Sequence, residues 1–144
     1  MKLSTRSRYG TRMMLDLARH YNEGPVPIGE IAEVEGLSVK YLEQLIIPLK
    51  KAKYIKSVRG PKGGHMLSKP PEEISIADIV KVLEGGFGFS PCIEDPAACK
   101  RTSDCLTRGL WEETTRAVLD KLDSITLSDM LQRRPHSGSV TLEV

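Results

Sequence analysis

The chain has 144 residues, 40% hydrophobic and 28% charged, with a formal net charge of +2, enough for one compact domain plus an appendage, or for a small domain that completes its core by pairing. The basic start, Met1 to Arg12, lacks the apolar stretch of a signal peptide and no later run is apolar enough to span a bilayer, so a cytoplasmic protein with no membrane partner is expected. Residues 1–70 carry 13 Lys and Arg against 6 Asp and Glu, and residues 71–144 carry 8 against 13, so a basic half suited to a polyanion precedes an acidic half with a separate task.

In chain order, Tyr9, Met13, Met14, Leu17, Ala18 and Tyr21 recur at helical spacing, which predicts a helix from Arg6 to about Asn22 stopped by Gly24 and Pro25. Ile28, Ile31, Ala32 and Val34 predict a short second helix ending near Gly36. Ser38 is placed to cap a third, Val39 to Ala52, with Leu42, Leu45, Ile46 and Leu49 on one face. This is a helix-turn-helix outline. Pro48 inside the third helix lacks an N–H and frees the carbonyl of Gln44, which predicts a local bend. Tyr54 to Arg59 alternates, Gly60 to Gly64 is a turn, and His65 to Leu67 returns, giving a β-hairpin wing. A further short helix carries Ile74, Ile76, Ile79, Val80 and Leu83 between Ser75 and the Gly85-Gly86 pair.

Leu106, Leu110, Trp111, Ala117, Val118, Leu119, Leu122 and Ile125 then predict a long helix whose apolar face is too wide to stand alone. A homodimer would bury it, with Leu106, Leu110, Trp111, Val118, Leu122 and Ile125 at the interface. Thr126 to Gln132 follows as a final short helix, and Arg133 to Val144 as a tail. The expected fold is mainly α with a small hairpin. A winged helix-turn-helix unit occupies 1–84, a cysteine-rich loop 85–105, the dimerisation region 106–132 and the tail 133–144.

The third helix leaves Lys40, Gln44, Ile47 and Lys51 opposite its apolar stripe, with Glu43 flanking them. Lys meets phosphate or guanine, Gln pairs with adenine, and Ile47 suits a thymine methyl. Arg59, beside a glycine-rich turn carrying Lys62, suits the negative potential of a minor groove. With only 5% aromatic residues there are few platforms for stacking single strands, so the expected partner is double-stranded DNA.

Cys92, Cys99 and Cys105 fall within fourteen residues as Cys92-x6-Cys99-x5-Cys105. Three soft ligands on one loop can wrap an inorganic centre, and their odd number argues against a complete disulfide framework. Three thiolates supply three of the four terminal positions of either a 4Fe-4S or a 2Fe-2S iron-sulfur cluster. Zinc is the main rival, although paired Cys-x2-Cys knuckles are lacking, and a metal-free thiol switch is the next. His20 and His65 read as surface or wing residues, and His136 lies in the tail. No nucleophile-base pair is recognisable, and metal-assisted hydrolysis would want His and carboxylate ligands with an open water, so an enzyme is not expected. The remaining alternative is a cluster-carrying interaction module that does not read DNA.

The runs Leu37-Ser38-Val39-Lys40-Tyr41-Leu42-Glu43-Gln44-Leu45, Val58-Arg59-Gly60-Pro61-Lys62-Gly63-Gly64 and Cys105-Leu106-Thr107-Arg108-Gly109-Leu110-Trp111 closely resemble the bacterial IscR and NsrR regulators, iron-sulfur winged-helix repressors. The resemblance reaches Leu131. It implies a homodimer with the third helices in successive major grooves and Arg59 in the minor groove. Lys40, Tyr41, Glu43 and Gln44 would lie at the reading end of the recognition helix, and Arg6, Ser38, Lys51 and Lys62 complete the expected DNA contacts. Lys40 replaces a small hydroxyl residue of the best-known relative. One subgroup takes a fourth cluster ligand from a histidine three residues after the last cysteine, where this chain has Arg108; another borrows a carboxylate from the partner's first helix, at the position of Arg8. Both expected ligands are absent, which leaves Glu94, Asp95, Asp104, a small-molecule ligand or an open iron site.

Overall fold

A computed structural model describes residues 2–135. The order is α1 (Thr5–Arg19), α2 (Ile28–Glu35), α3 (Val39–Lys51), β1 (Ile55–Val58), β2 (Gly64–Leu67), α4 (Ile76–Glu84), α5 (Pro91–Glu94), α6 (Leu106–Asp123) and α7 (Leu127–Leu131). Short 3-10 turns lie at Pro71–Glu73 and Pro96–Ala98. The expected tail falls, from residue 136 on, outside the described residues. No helix among them is long and apolar enough to cross a membrane.

Side-chain caps set the helix starts. The hydroxyls of Ser4, Ser38, Ser75 and Thr126 accept from backbone N–H groups of the first turns of α1, α3, α4 and α7, and Ser75 and Thr126 build full capping boxes with Asp78 and Asp129. α1 ends at Arg19, three residues earlier than its apolar spacing predicts, and the chain then turns through Asn22 at φ 69°. Gly36, at φ 66°, closes α2 in the left-handed conformation that a side chain would strain. α3 runs unbroken to Lys51 with Pro48 inside it.

Met13, Met14 and Leu17 of α1, Ile31 of α2, Leu42, Leu45 and Leu49 of α3, Ile55 and Leu67 of the hairpin, and Ile79 and Leu83 of α4 form one buried core. α1 packs on α4 at Gly10, where an added Cβ would lie 2.1 Å from Leu83 Cδ1. The antiparallel hairpin pairs Ile55 with Leu67 and Ser57 with His65. It is also tied to the α1–α2 connector, because Val26 and His65 exchange backbone hydrogen bonds of 2.8 and 2.9 Å. Periodicity gives no sign of that link, since Val26 is a single paired residue.

The C-terminal segments return to this core. Ile76 N–H donates to Ile125 O at 2.8 Å, Leu127 N–H donates to Ile74 O at 2.9 Å, and Leu127 is fully buried. α7 thus packs against α1 and the Pro71–Glu73 turn, although it follows the long helix in sequence. α6 lies against α4 and α5, anchored by Thr115, whose hydroxyl accepts from Phe89 N–H at 3.1 Å.

Candidate nucleic-acid interface and cysteine loop

α3 has two outward sides, and its caps and neighbours decide which residues lie on each. Lys40, Gln44 and Lys51 are exposed away from the core, with Ile47 66% exposed among them. Glu43 instead shares a second side with Ile46, Ile47 and Lys50, facing Ser57 and His65 of the wing across a groove of about 270 Å³. Ser38 spends its hydroxyl on the cap, accepting from Tyr41 N–H at 3.1 Å. Tyr41 is half-buried edge-on to Tyr9, ring centroids 6.2 Å apart, with its hydroxyl buried and unpartnered. That packing reduces what the phenol can offer at the reading end. Arg59 and Lys62 stand exposed at the hairpin tip, and Arg6 is exposed on the first turn of α1.

The base of α1 is joined to α4 by a contact the sequence did not reveal. Glu84 Oε1 accepts from Ser4 N–H at 2.9 Å, Ser4 Oγ at 2.7 Å and Ser7 Oγ at 2.6 Å. Burial opposes ionisation of this carboxyl, but the hydroxyls of Ser7 and Ser4, the Ser4 N–H and the nearby Arg6 charge outweigh it and hold the pKa below the ordinary value. A second tie joins α1 to α2: Arg12 Nε lies 3.0 Å from the buried carboxylate of Glu35, and the Arg12 guanidinium rests 5.6 Å from the Tyr9 ring centroid.

In the cysteine loop, Cys92 is half-buried on α5, its sulfur 3.3 Å from Ser90 Oγ. Cys99 is exposed after the second 3-10 turn. Cys105 sits at the N-terminus of α6 with its sulfur 3.2 Å from Thr107 Oγ1. The Thr107 hydroxyl, then the Arg108 backbone amide, lower its thiol pKa from the ordinary value. The loop does not bring the three sulfurs together: among the described residues no three His, Cys, Asp or Glu side chains are grouped to hold a metal ion.

Two of the candidate fourth ligands are engaged locally. The Glu94 carboxylate folds against Gly86, where a Cβ would meet its Oε2 at 2.8 Å, and Asp95 Oδ1 accepts from Ala97 N–H at 3.0 Å. Asp104 lines an open hollow beside Cys105. Arg108 reaches across the loop, its Nη2 donating to Cys92 O at 3.5 Å and its Nη1 lying 3.4 Å from Glu112. Arg8 is exposed on α1.

The expected interface helix divides in two. Leu106 is 94% exposed, and Leu110 and Trp111 are exposed beside it on the first half of α6. Val118 is half-buried, while Leu122 and Ile125 pack against the chain's own core. Thr115 is the inward residue between them, and its spacing four residues from both Trp111 and Leu119 was the available signal.

A family model, Rrf2, described as iron-dependent transcriptional regulator, matches residues 3–133. The chain belongs to the Rrf2 family. Protein rrf2 of Nitratidesulfovibrio vulgaris is 48% identical over 92% of this chain and 88% of its own length. The structure of T. potens IscR superposes with a TM-score of 0.74 at 44% identity, covering 92% of this chain and 87% of that one. The oxidized form of Staphylococcus aureus CymR does so with 0.73 at 41%, covering 94% and 100%. The IscR resemblance and the mainly helical winged fold read from the sequence are borne out. The chain is a DNA-binding transcriptional regulator of the Rrf2 family, and the family match sets aside a module that does not read DNA.

Proposed function

We propose that the chain acts as a cytoplasmic homodimer that places α3 in the major groove and the Arg59 tip in the adjacent minor groove, with the cysteine loop as its sensing element. Support for the docking comes from Lys40, Gln44 and Lys51 on the free side of α3, close to a cationic hairpin tip in the basic half. Leu106, Leu110 and Trp111, an apolar face left open at the start of α6, support the dimer. The two recognition helices would then be set roughly one DNA turn, about 34 Å, apart.

The single observation that carries the sensing role is the placement of the loop: three thiols, one with its pKa lowered, lie in sequence between the reading unit and the open face of α6. The donor set fits an iron-sulfur centre in its chemistry, and Cys92, Cys99 and Cys105 would hold it. Bound, such a centre supplies a charge and a lability that respond to oxidants, nitric oxide or iron supply. With Arg108 and Arg8 at the two expected ligand positions, we favour 4Fe-4S with one exchangeable iron over 2Fe-2S. The chain's part is to close the loop on that centre, ordering a polar segment that touches α6 through Thr115 and Arg108. Anaerobic reconstitution followed by Mössbauer spectroscopy tests this, and a pure 2Fe-2S signature would refute the cluster assignment.

A metal-free thiol switch is the second reading. Cys105 has the depressed pKa such a switch needs, and a CymR relative is known in an oxidized form. A colourless, iron-free protein whose duplex affinity changes on peroxide treatment selects this reading.

A further inference from the structure

The groove between α3 and the wing has walls of different character. Ile46 and Ile47 give it an aliphatic floor, Glu43 and Lys50 stand on the helix side, and the cross-strand pair Ser57 and His65 forms the wing side. His65 is held firmly in place. Its backbone is fixed by the paired bonds to Val26, and Nδ1 lies 2.8 Å from Ser57 Oγ, which leaves Nε2 as the nitrogen able to meet a ligand.

A protein that lays a helix in the major groove and a hairpin tip in the adjacent minor groove straddles the sugar-phosphate strand between them. In this chain the space between those two elements is the His65 groove, whose aliphatic floor suits a deoxyribose face and whose Lys50 suits a phosphate. We propose that His65 is a DNA-phosphate contact that takes up a proton when duplex binds, so that the regulator grips DNA more tightly at lower pH. The inference rests on the docking proposed above.

The groups around the imidazole are Lys50 and Glu43 from α3 and Ser57 from β1, with Arg59 of the wing lining the adjoining hollow. In the free protein burial, then the Lys50 charge, pull its pKa below the ordinary value, with Glu43 opposing them. It therefore enters the complex neutral near pH 7. A phosphate in the groove reverses the balance and raises the pKa in the bound state. The affinity gained is complete below the free-state pKa and is lost as pH rises through the bound-state value, and one proton limits the slope to about tenfold per pH unit.

Fluorescence anisotropy with a labelled random-sequence duplex, at fixed low salt from about pH 6 to about pH 8.5, decides the matter for the full-length wild type, His65→Gln and His20→Gln. Affinity of the wild type and His20→Gln should fall as pH rises within the window, by no more than about tenfold per unit, while that of His65→Gln stays flat. Calorimetry of the wild type in two buffers of different ionisation enthalpy should show net proton uptake, a reading that stands even if the variant misfolds. A flat wild-type profile, absence of uptake, or an unchanged slope in folded His65→Gln overturns the role of His65. No duplex binding at any pH overturns the docking itself.

Discussion

Glu84 joins the first turn of α1 to the last turn of α4, and its three accepted hydrogen bonds include one from Ser7, which is fully buried. Glu84→Ala strands that hydroxyl and should cost about 2 kcal/mol, read as a lowered midpoint in urea unfolding. Because the folded pKa lies below the unfolded value of about 4.3, the carboxylate's contribution is fully present above that value and is lost as pH falls through the folded one. The stability gap between wild type and Glu84→Gln should therefore narrow only below about pH 4. Gly10 invites the opposite kind of test. Alanine there gains about 1 kcal/mol of helix propensity but drives a Cβ into the buried Leu83, an overpacking of about 1–3 kcal/mol, so a net loss in melting temperature is expected. In a Leu83→Ala background the same change should be tolerated, and a double-mutant cycle measures that coupling.

At the scale of elements, the two sides of α3 predict different phenotypes. Lys51→Ala should weaken all duplexes alike and reduce the salt slope of log affinity by about 0.9, whereas Gln44→Ala should flatten discrimination between sequences with little change in salt dependence. A binding-site selection followed by salt titrations separates the two. The longer helices, the caps at Ser38 and Ser75 and the hairpin were legible because a 3.6-residue period and cap residues are local properties of the chain, whereas the Ser4 cap and the short α5 inside the cysteine loop were not read. The groove side of α3 was not. Glu43 reads as a neighbour of the free face until the hairpin register sets Ser57 and His65 opposite it. α6 misled in the same way, since its apolar spacing merged an open half at Leu106, Leu110 and Trp111 with a half at Leu122 and Ile125 that serves the chain's own core.

For the whole molecule, the open half of α6 and the cysteine loop should act together. Leu110→Glu is expected to give a monomer in sedimentation velocity, with duplex affinity reduced by at least about tenfold as the second half-site contact is lost. Cys92→Ser, Cys99→Ser and Cys105→Ser should each abolish the visible absorption of reconstituted protein while leaving the thermal unfolding of the buried core nearly unchanged, because none of the three sulfurs belongs to that core.

The sequence by itself determined the helix-turn-helix, the wing, the charge division and the clustering of thiols, all of which follow from neighbours a few residues apart and from chain-wide composition. Tertiary structure alone decided that α7 closes the core of the N-terminal unit, that Glu84 holds the start of α1, that Arg108 spans the loop to Cys92, and that His65 faces α3. Each of these contacts joins segments whose side chains carry no periodic mark of their partner. They arise because packing the apolar faces leaves polar groups at the seams, and those groups must find one another across long stretches of chain.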